Sequence, residues 1–272
     1  MFILIIHNEI LIKNIKNKGT FVARNIGVIF SRGKYIIIPD PDDILSKNII
    51  HTCYYLAKKY NYEIIKFLQY NGFNIMHLEE VERRKIKPIY QSELSHYIFY
   101  GINELQQIDF TLHNKFLLKD VYLKSLNILN NSFLNMYIIL FEDQMMNYIL
   151  HRISKSFFLL TKVGYYYLKH SLSITKNQSK ISYLKIKFIF IYLKLLFEYS
   201  KNNKFEKDIT KIVFNRMLKI LRYKPSLIIK EYENYYIDIF NMYIRSKFIS
   251  DEDKNFFRTL KNNSPNKKIK NK

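Results

Sequence analysis

Residues that allow unusual backbone geometry are scarce in this chain of 272 residues, which has six glycines and five prolines. Three of the glycines and two of the prolines nevertheless lie between residues 19 and 41. Glycine permits left-handed backbone and close approach, and proline stiffens turns. Their concentration in one short stretch therefore indicates a functional site there.

Cysteine is nearly absent as well, since Cys53 is the single example, and tryptophan is missing. One cysteine excludes an intramolecular disulfide and a zinc site built from cysteines. Because Cys53 lies among apolar residues at helical spacing, we expect it to be a small core residue. Its solitary thiol is compatible with a reducing compartment.

The chain also lacks a long uninterrupted apolar run. Residues 181–200 come nearest, but Lys185, Lys187 and Lys194 interrupt them. This pattern predicts an amphipathic helix packed on the protein. We therefore expect no transmembrane span, allow for peripheral contact with a membrane, and expect a cytoplasmic or membrane-peripheral location rather than secretion.

Acidic residues are outnumbered, with 23 Asp and Glu against 44 Lys and Arg and a net charge of +21. Such a charge favours anionic partners, and a basic nucleic-acid-binding protein is one alternative function. The basic residues are scattered, however, and no nucleic-acid-binding module is recognisable. We therefore expect no nucleic-acid partner.

The glycine-containing stretch has the pattern of a helix, a strand and an acidic turn. Apolar residues on one face predict a helix over 20–30, which Gly33 would end as a left-handed cap. A short buried strand is predicted over 35–38, followed by the acidic turn Asp40-Pro41-Asp42-Asp43. Ser46 would cap the next helix. The acidic turn thus lies at the end of a strand, where open α/β sheets bind ligands.

The rest of the chain continues to alternate between strand and helix patterns as far as about residue 176. The predicted elements are strands over 62–69, 136–140 and 157–169, and helices over 117–129 and 143–153. We expect an α/β domain over 1–176, an all-helical extension over 177–260 and a disordered basic tail over 261–272.

The acidic turn brings three carboxylates within four residues, which is costly unless a positive partner joins them. Mg²⁺ and Mn²⁺ prefer carboxylate oxygens and commonly bridge to substrate phosphates. An ordinary solvated, Asp-rich turn is the other interpretation of the same residues.

The surroundings of the acidic turn resemble those of family-2 glycosyltransferases. Residues 19–27 (GTFVARNIG) and 31–36 (SRGKYI), followed by the acidic turn, resemble the family's ARN-x-G helix, GKYI-like strand and D-x-DD turn. Shorter resemblances follow in the family's order. They are residues 114–117 (NKFL), 141–143 (FED) and the YYY…SIT segment within 165–175.

The resemblance implies a Rossmann-like nucleotide-diphospho-sugar transferase fold of the α/β class. It also implies metal-dependent transfer of a sugar from a nucleotide-sugar donor to an acceptor hydroxyl, with inversion. The family's first strands, which carry much of the nucleotide contact, find no counterpart, so we expect the domain to be N-terminally truncated. A non-catalytic or truncated remnant of the fold is therefore a second possible function.

The resemblance also assigns catalytic and metal-binding roles. Asp143 would be the general base that deprotonates the acceptor hydroxyl, and Glu142 would position the acceptor. Asp42 and Asp43 would hold Mn²⁺ or Mg²⁺, and His170 would contact the metal or the diphosphate.

The donor side of the site would be formed by Arg24, Asn25 and Asp40. Each assignment has a structural alternative. Arg24 and Asn25 are also ordinary helix residues, Glu142-Asp143 also suits a helix N-terminus, and a lone histidine such as His170 is also an ordinary surface or core residue. The sequence does not identify the sugar, the nucleotide or the acceptor.

Overall fold

The computed structural model describes residues 2–6, 9–71, 89–90, 111–129, 134, 137–139, 142–168, 251 and 255. The chain divides into two compact units, Met1–Asn177 and Gln178–Lys272. Almost all described residues belong to the first unit. The basic tail, His170 and all of the predicted helical extension except Asp251 and Asn255 lie outside the described residues.

The described elements follow one another as an α/β succession. They are β1 (Phe2–Ile6), β2 (Glu9–Lys13), α1 (Gly19–Phe30), β3 (Tyr35–Ile36), β4 (Ile44–Leu45), α2 (Ile49–Tyr60), β5 (Ile64–Asn71), β6 (Ile89–Tyr90), β7 (Lys115–Leu118), α3 (Lys119–Ile128), α4 (Glu142–Ile153) and β8 (Ser156–Tyr167). Among the described helices, none is long and apolar enough to cross a membrane.

Six of the strands form one mixed sheet, and β1 and β2 form a separate antiparallel hairpin. The order in the sheet is β3-β7-β5-β8-β4, and β6 also pairs with β8. β5 and β8 run parallel, while the other pairs in the sheet are antiparallel. This mixed α/β architecture confirms the predicted fold class.

Helix α1 begins at a position that requires glycine. Gly19 has a φ of 84°, which glycine adopts without steric cost. A Cβ at this position would also lie 2.7 Å from the carbonyl oxygen of Ile138. The side chain of Asn17 accepts the backbone N–H of Gly19 at 2.9 Å. These contacts fix the start of the helix that carries Arg24.

The end of α1 differs from the prediction, because Gly33 is not a left-handed cap. The helix ends at Phe30, and the extended residue Ser31 donates its N–H to the carbonyls of Gly27 and Val28. Gly33 is instead explained by close approach, since a Cβ there would lie 2.8 Å from the carbonyl oxygen of Tyr35.

The main core lies between α2 and the central strands. Ile49, Cys53 and Ala57 of α2 are fully buried and pack in one cluster with Phe67 of β5 and Tyr165 of β8. The prediction that Cys53 is a core residue is confirmed, and its burial raises the pKa of the thiol to about 12. The thiol is therefore not a nucleophile near neutral pH.

Three other local predictions were wrong. Helix α2 starts at Ile49, whose N–H is accepted by the carbonyl of Ser46, and no side chain caps it. β7 occupies the predicted start of α3, because it pairs with both β3 and β5. Residues 137–139 are not in a strand. The carbonyl of Ile138 accepts a hydrogen bond from the first turn of α1 instead.

Candidate active site

Arg24 of α1 joins three carboxylates that come from two distant parts of the chain. Its Nη2 lies 2.6 Å from Oδ1 of Asp40, at the start of the acidic turn. Its Nη1 lies 3.1 Å from Oε1 of Glu142 and also pairs with Oδ1 of Asp143. Arg24 and Glu142 are 118 residues apart in sequence. The structure thus brings four of the predicted site residues into one group, here named the Arg24 cluster.

The Arg24 cluster is largely shielded from solvent, and its negative charges outnumber its positive one. The side chains of Arg24 and Glu142 are 16% and 8% exposed. Burial alone would lower the pKa of Arg24, but the carboxylates of Asp143, Asp40 and Glu142 raise it well above its ordinary value. The guanidinium is therefore a permanent cation, and the carboxylates compete for it.

Asp143 is the carboxylate whose protonation this environment changes most clearly. Burial raises its pKa, the charge of Arg24 lowers it, and the charges of Glu142 and Asp40 raise it again, to about 6. The N–H of Leu112, 3.4 Å from Oδ2, lowers the pKa slightly. A carboxyl group that titrates this close to neutrality is a stronger base than an ordinary aspartate.

Thr20 fixes Glu142 from the first turn of α1. Its Oγ1 lies 2.6 Å from Oε1 of Glu142, the same oxygen that accepts from Arg24. Sequence reasoning assigned no role to Thr20. Its position four residues before Arg24, on the same face of a helix, is the pattern that could have identified it.

The carboxylate of Asp43 points towards the end of β8. Its Oδ2 accepts the hydroxyl of Tyr165 at 2.6 Å, and its Oδ1 accepts the N–H of Leu168 at 2.8 Å. The Tyr165 hydroxyl also accepts the N–H of Asp40 at 3.1 Å. Burial and the hydrogen bond to Asp43 raise the pKa of Tyr165, so the phenol keeps its proton. Tyr165 therefore ties both ends of the acidic turn to the sheet.

The predicted metal ligands are only partly described by the structure. Asp42 is exposed on the acidic turn, and Asp43 makes the contacts with β8 given above. In the part of the chain that the structure describes, no three His, Cys, Asp or Glu side chains form a group that could hold a metal ion. Metal binding by Asp42, Asp43 and His170 therefore stays a prediction.

Asn25 lies in the packing between helices rather than in the Arg24 cluster. It is 5% exposed, and its Oδ1 accepts the hydroxyl of Tyr122, on α3, at 2.9 Å. The pKa of Tyr122 is raised by burial, which keeps this donor protonated. The contact between α1 and α3 thus sets the position of the helix that carries Arg24.

His113 was missed by sequence reasoning and lies at the carboxylate oxygen of Asp40 that Arg24 does not contact. Its Nδ1 is 3.7 Å from Oδ2 of Asp40, and its Nε2 is 2.6 Å from Oε1 of Gln69. Its ring stacks on that of Tyr165, with centroids 4.3 Å apart. The signal that could have found it is its place directly before the family-like segment 114–117.

Comparison with known proteins finds a family similarity for part of the chain. Residues 6–121 match the model of the family described as Glycosyl transferase family 2. No curated protein sequence matches the chain.

The structure resembles crystal structures of TarS from S. aureus. For TarS 1–349 the TM-score is 0.53 at 12% identity, covering 84% of this chain and 60% of TarS 1–349. For the complex with UDP-GlcNAc the TM-score is 0.55 at 12% identity, covering 83% and 61%. For the complex with UDP it is 0.54 at 13% identity, covering 85% and 61%. The chain thus spans less than two thirds of these structures, and the likeness shows a shared fold.

The family match and the Arg24 cluster overlap in sequence. The matched segment contains Arg24, the acidic turn and His113, while Glu142 and Asp143 lie beyond it. Residues 6–121 of this chain are therefore similar to a glycosyl transferase family 2 domain.

Proposed function

We propose that this chain transfers a glycosyl group from a nucleotide-sugar to an acceptor hydroxyl, with inversion at the anomeric carbon. The observation that carries the proposal is the convergence of Asp40, Glu142 and Asp143 on Arg24, in a chain whose residues 6–121 match the family 2 model. TarS, which has a similar fold, has been crystallised with UDP-GlcNAc and with UDP. That supports a nucleotide-sugar as the donor here.

Asp143 acts as the general base in this proposal. Its pKa of about 6 leaves it ionised at neutral pH, yet more basic than an ordinary aspartate. It takes the proton of the acceptor hydroxyl as the oxygen forms a bond to the anomeric carbon. The bond from that carbon to the diphosphate oxygen breaks in the same step, so the configuration inverts. Glu142, held by Thr20 and Arg24, orients the acceptor beside this base.

Arg24 acts by positioning other groups rather than by contacting the donor. Its guanidinium spans the acidic turn on one side and the first turn of α4 on the other. Arginine suits this task because its planar donors meet several carboxylates in fixed directions. The donor-binding turn and the base are thereby kept at a constant separation.

A divalent cation, Mn²⁺ or Mg²⁺, is the cofactor that this site would take. Asp42, exposed on the acidic turn, would hold it together with the donor's phosphates, since such cations are usually bound by one or two carboxylates plus substrate phosphates. Asp43, the second predicted ligand, also stabilises the turn through Tyr165 and Leu168. A bound cation would supply positive charge that neutralises the departing diphosphate.

The test is the release of nucleoside diphosphate from a panel of nucleotide-sugars with Mn²⁺ and candidate acceptors. We expect Asp143→Asn to lower kcat by about 100-fold or more, because general-base catalysis contributes at least that much. Asp120→Asn is the matched control, since Asp120 is exposed on α3. Equal rates for the two variants, or no turnover of any donor by the wild type, would contradict the proposal.

A further inference from the structure

Residues 111–114 form a short segment that contacts both sides of the Arg24 cluster. The N–H of Leu112 lies 3.4 Å from Oδ2 of Asp143, on the base side. The ring of the next residue, His113, faces Oδ2 of Asp40, on the side of the acidic turn. One short segment therefore lies next to both carboxylates, Asp143 and Asp40.

The segment 111–114 is itself anchored to strand β5. The hydroxyl of Thr111 donates to Oδ1 of Asn114 at 2.7 Å, and Nδ2 of Asn114 donates to the carbonyl of Phe67 at 3.0 Å. The buried ammonium of Lys115 donates to the carbonyl of Thr111. Because these polar groups are held by one another and by the sheet, the segment has little freedom to move.

The ring of His113 is held in one orientation by residues of the two central strands. Gln69 of β5 lies 2.6 Å from its Nε2, and Tyr165 of β8 stacks against its face. Nδ1 is consequently directed at Asp40. The separation of 3.7 Å is longer than a direct hydrogen bond.

Asp40 therefore has a different neighbour at each carboxylate oxygen. Oδ1 pairs with Arg24, and Oδ2 faces His113. A carboxylate with only the first contact could rotate about its last side-chain bond and draw the guanidinium with it. A fixed group at the second oxygen removes that freedom.

We propose that His113 is a positioning residue of the transfer site, which orients Asp40 so that Arg24 stays in contact with Asp143. This inference rests on the proposed function, because it assigns His113 to the same reaction. His113 acts through Asp40 and contacts neither donor nor acceptor, so its loss should affect kcat more than the KM for the donor.

Two amide variants separate the contacts of the two ring nitrogens. His113→Asn keeps a side-chain nitrogen near the position of Nδ1, and His113→Gln keeps one near the position of Nε2. We expect His113→Asn to stay within about threefold of wild-type kcat. We expect His113→Gln to lose about 10- to 100-fold in kcat with a donor KM changed less than about threefold, because small misplacements of reacting groups are costly.

His51→Gln is the matched control, since His51 is exposed on α2, and it should match the wild type. If His113→Gln does not fold, Gln69→Met removes the restraint on the ring and leaves His113 in place. That variant should then lower kcat in the same way. Wild-type kcat in the variant that folds, or a rise in donor KM alone, would overturn the proposal.

A second measurement keeps this inference separate from the proposed function. If the wild type turns over no donor, the proposed function fails, and crystal structures of the two amide variants then decide the role of His113. We expect the pair between Asp40 and Arg24 to be kept in His113→Asn and broken in His113→Gln. The same pair in both structures would overturn the inference.

Discussion

At the scale of single residues, the Arg24 cluster places one cation among three carboxylates in a setting with little solvent. Removing a buried cation from such a group leaves uncompensated charge, whereas neutralising one carboxylate relieves repulsion between the others. Substitution of Arg24 by a neutral residue should therefore lower the free energy of unfolding, whereas neutralising Asp143 should raise it.

The rate of transfer should depend on the ionisation of Asp143. A base must be deprotonated to act, so kcat/KM should rise with pH along a limb centred near pH 6 and level off about one pH unit above that. Glu142→Gln should move this limb to lower pH, because the charge of Glu142 raises the pKa of Asp143. The measurement is a pH profile between pH 4 and pH 8, and a limb centred near pH 4 in the wild type would contradict the assignment.

The same carboxylate should make the folded protein less stable at high pH. The pKa of Asp143 is about 6 in the folded chain against an ordinary value of 3.8, so the native state binds the extra proton in that window. This contribution to stability is present below the lower value and is lost as the pH rises through the higher one. At pH 8, Asp143→Asn should therefore raise the free energy of unfolding by on the order of 1 kcal/mol.

Urea unfolding of wild type and Asp143→Asn at pH 5 and pH 8 tests this sign, with Asp120→Asn as the exposed control. The difference in free energy of unfolding between Asp143→Asn and the wild type should be larger at pH 8 than at pH 5. A variant that is less stable than the wild type at pH 8 would mean that the pairing with Arg24 outweighs burial and repulsion. Asp143 would then lack the cost in stability that active-site residues commonly carry.

At the scale of elements, α1 matters most, because it carries Thr20 and Arg24 and starts at a left-handed position. Gly19→Ala would force a side chain into a left-handed conformation and place its Cβ 2.7 Å from the carbonyl oxygen of Ile138. We expect a loss of about 1–3 kcal/mol in the free energy of unfolding.

Gly27→Ala is the control for that substitution, because a Cβ at Gly27 meets nothing within 4 Å. It lies in the interior of the same helix, where alanine is favoured over glycine by about 0.5–1 kcal/mol. Chemical denaturation should thus show a lower free energy of unfolding for Gly19→Ala and a higher one for Gly27→Ala than for the wild type. Equal effects would mean that the start of α1 does not require glycine.

Elements with local signals were predictable from the sequence, and those defined by distant partners were not. The apolar periodicity of α1 and α2 is contained within each helix. The predicted start of each helix therefore lies within one to three residues of the observed start. β7 is a strand because β3 and β5 lie on either side of it. Its sequence Lys115–Leu118 carries no alternation that shows this.

At the scale of the whole molecule, the site is assembled from segments that are far apart in sequence. Arg24, Asp40, Glu142 and Asp143 could be selected in advance from the family resemblance. Their common contact could not, because it depends on where the first turn of α4 lies relative to α1. The supporting contacts of Tyr165 and His113 were also unpredictable, since each depends on pairing within the sheet.

The measurement that tests the central claim most directly is the rate of sugar transfer by Arg24→Lys. Lysine keeps the positive charge, and with it the fold, but cannot meet three carboxylates in fixed directions. We predict a loss of about 10-fold or more in kcat, because the base is no longer held in place. Arg32→Lys, an exposed site just after α1, should match the wild type. An Arg24→Lys variant as active as Arg32→Lys would show that the Arg24 cluster does not organise the reaction.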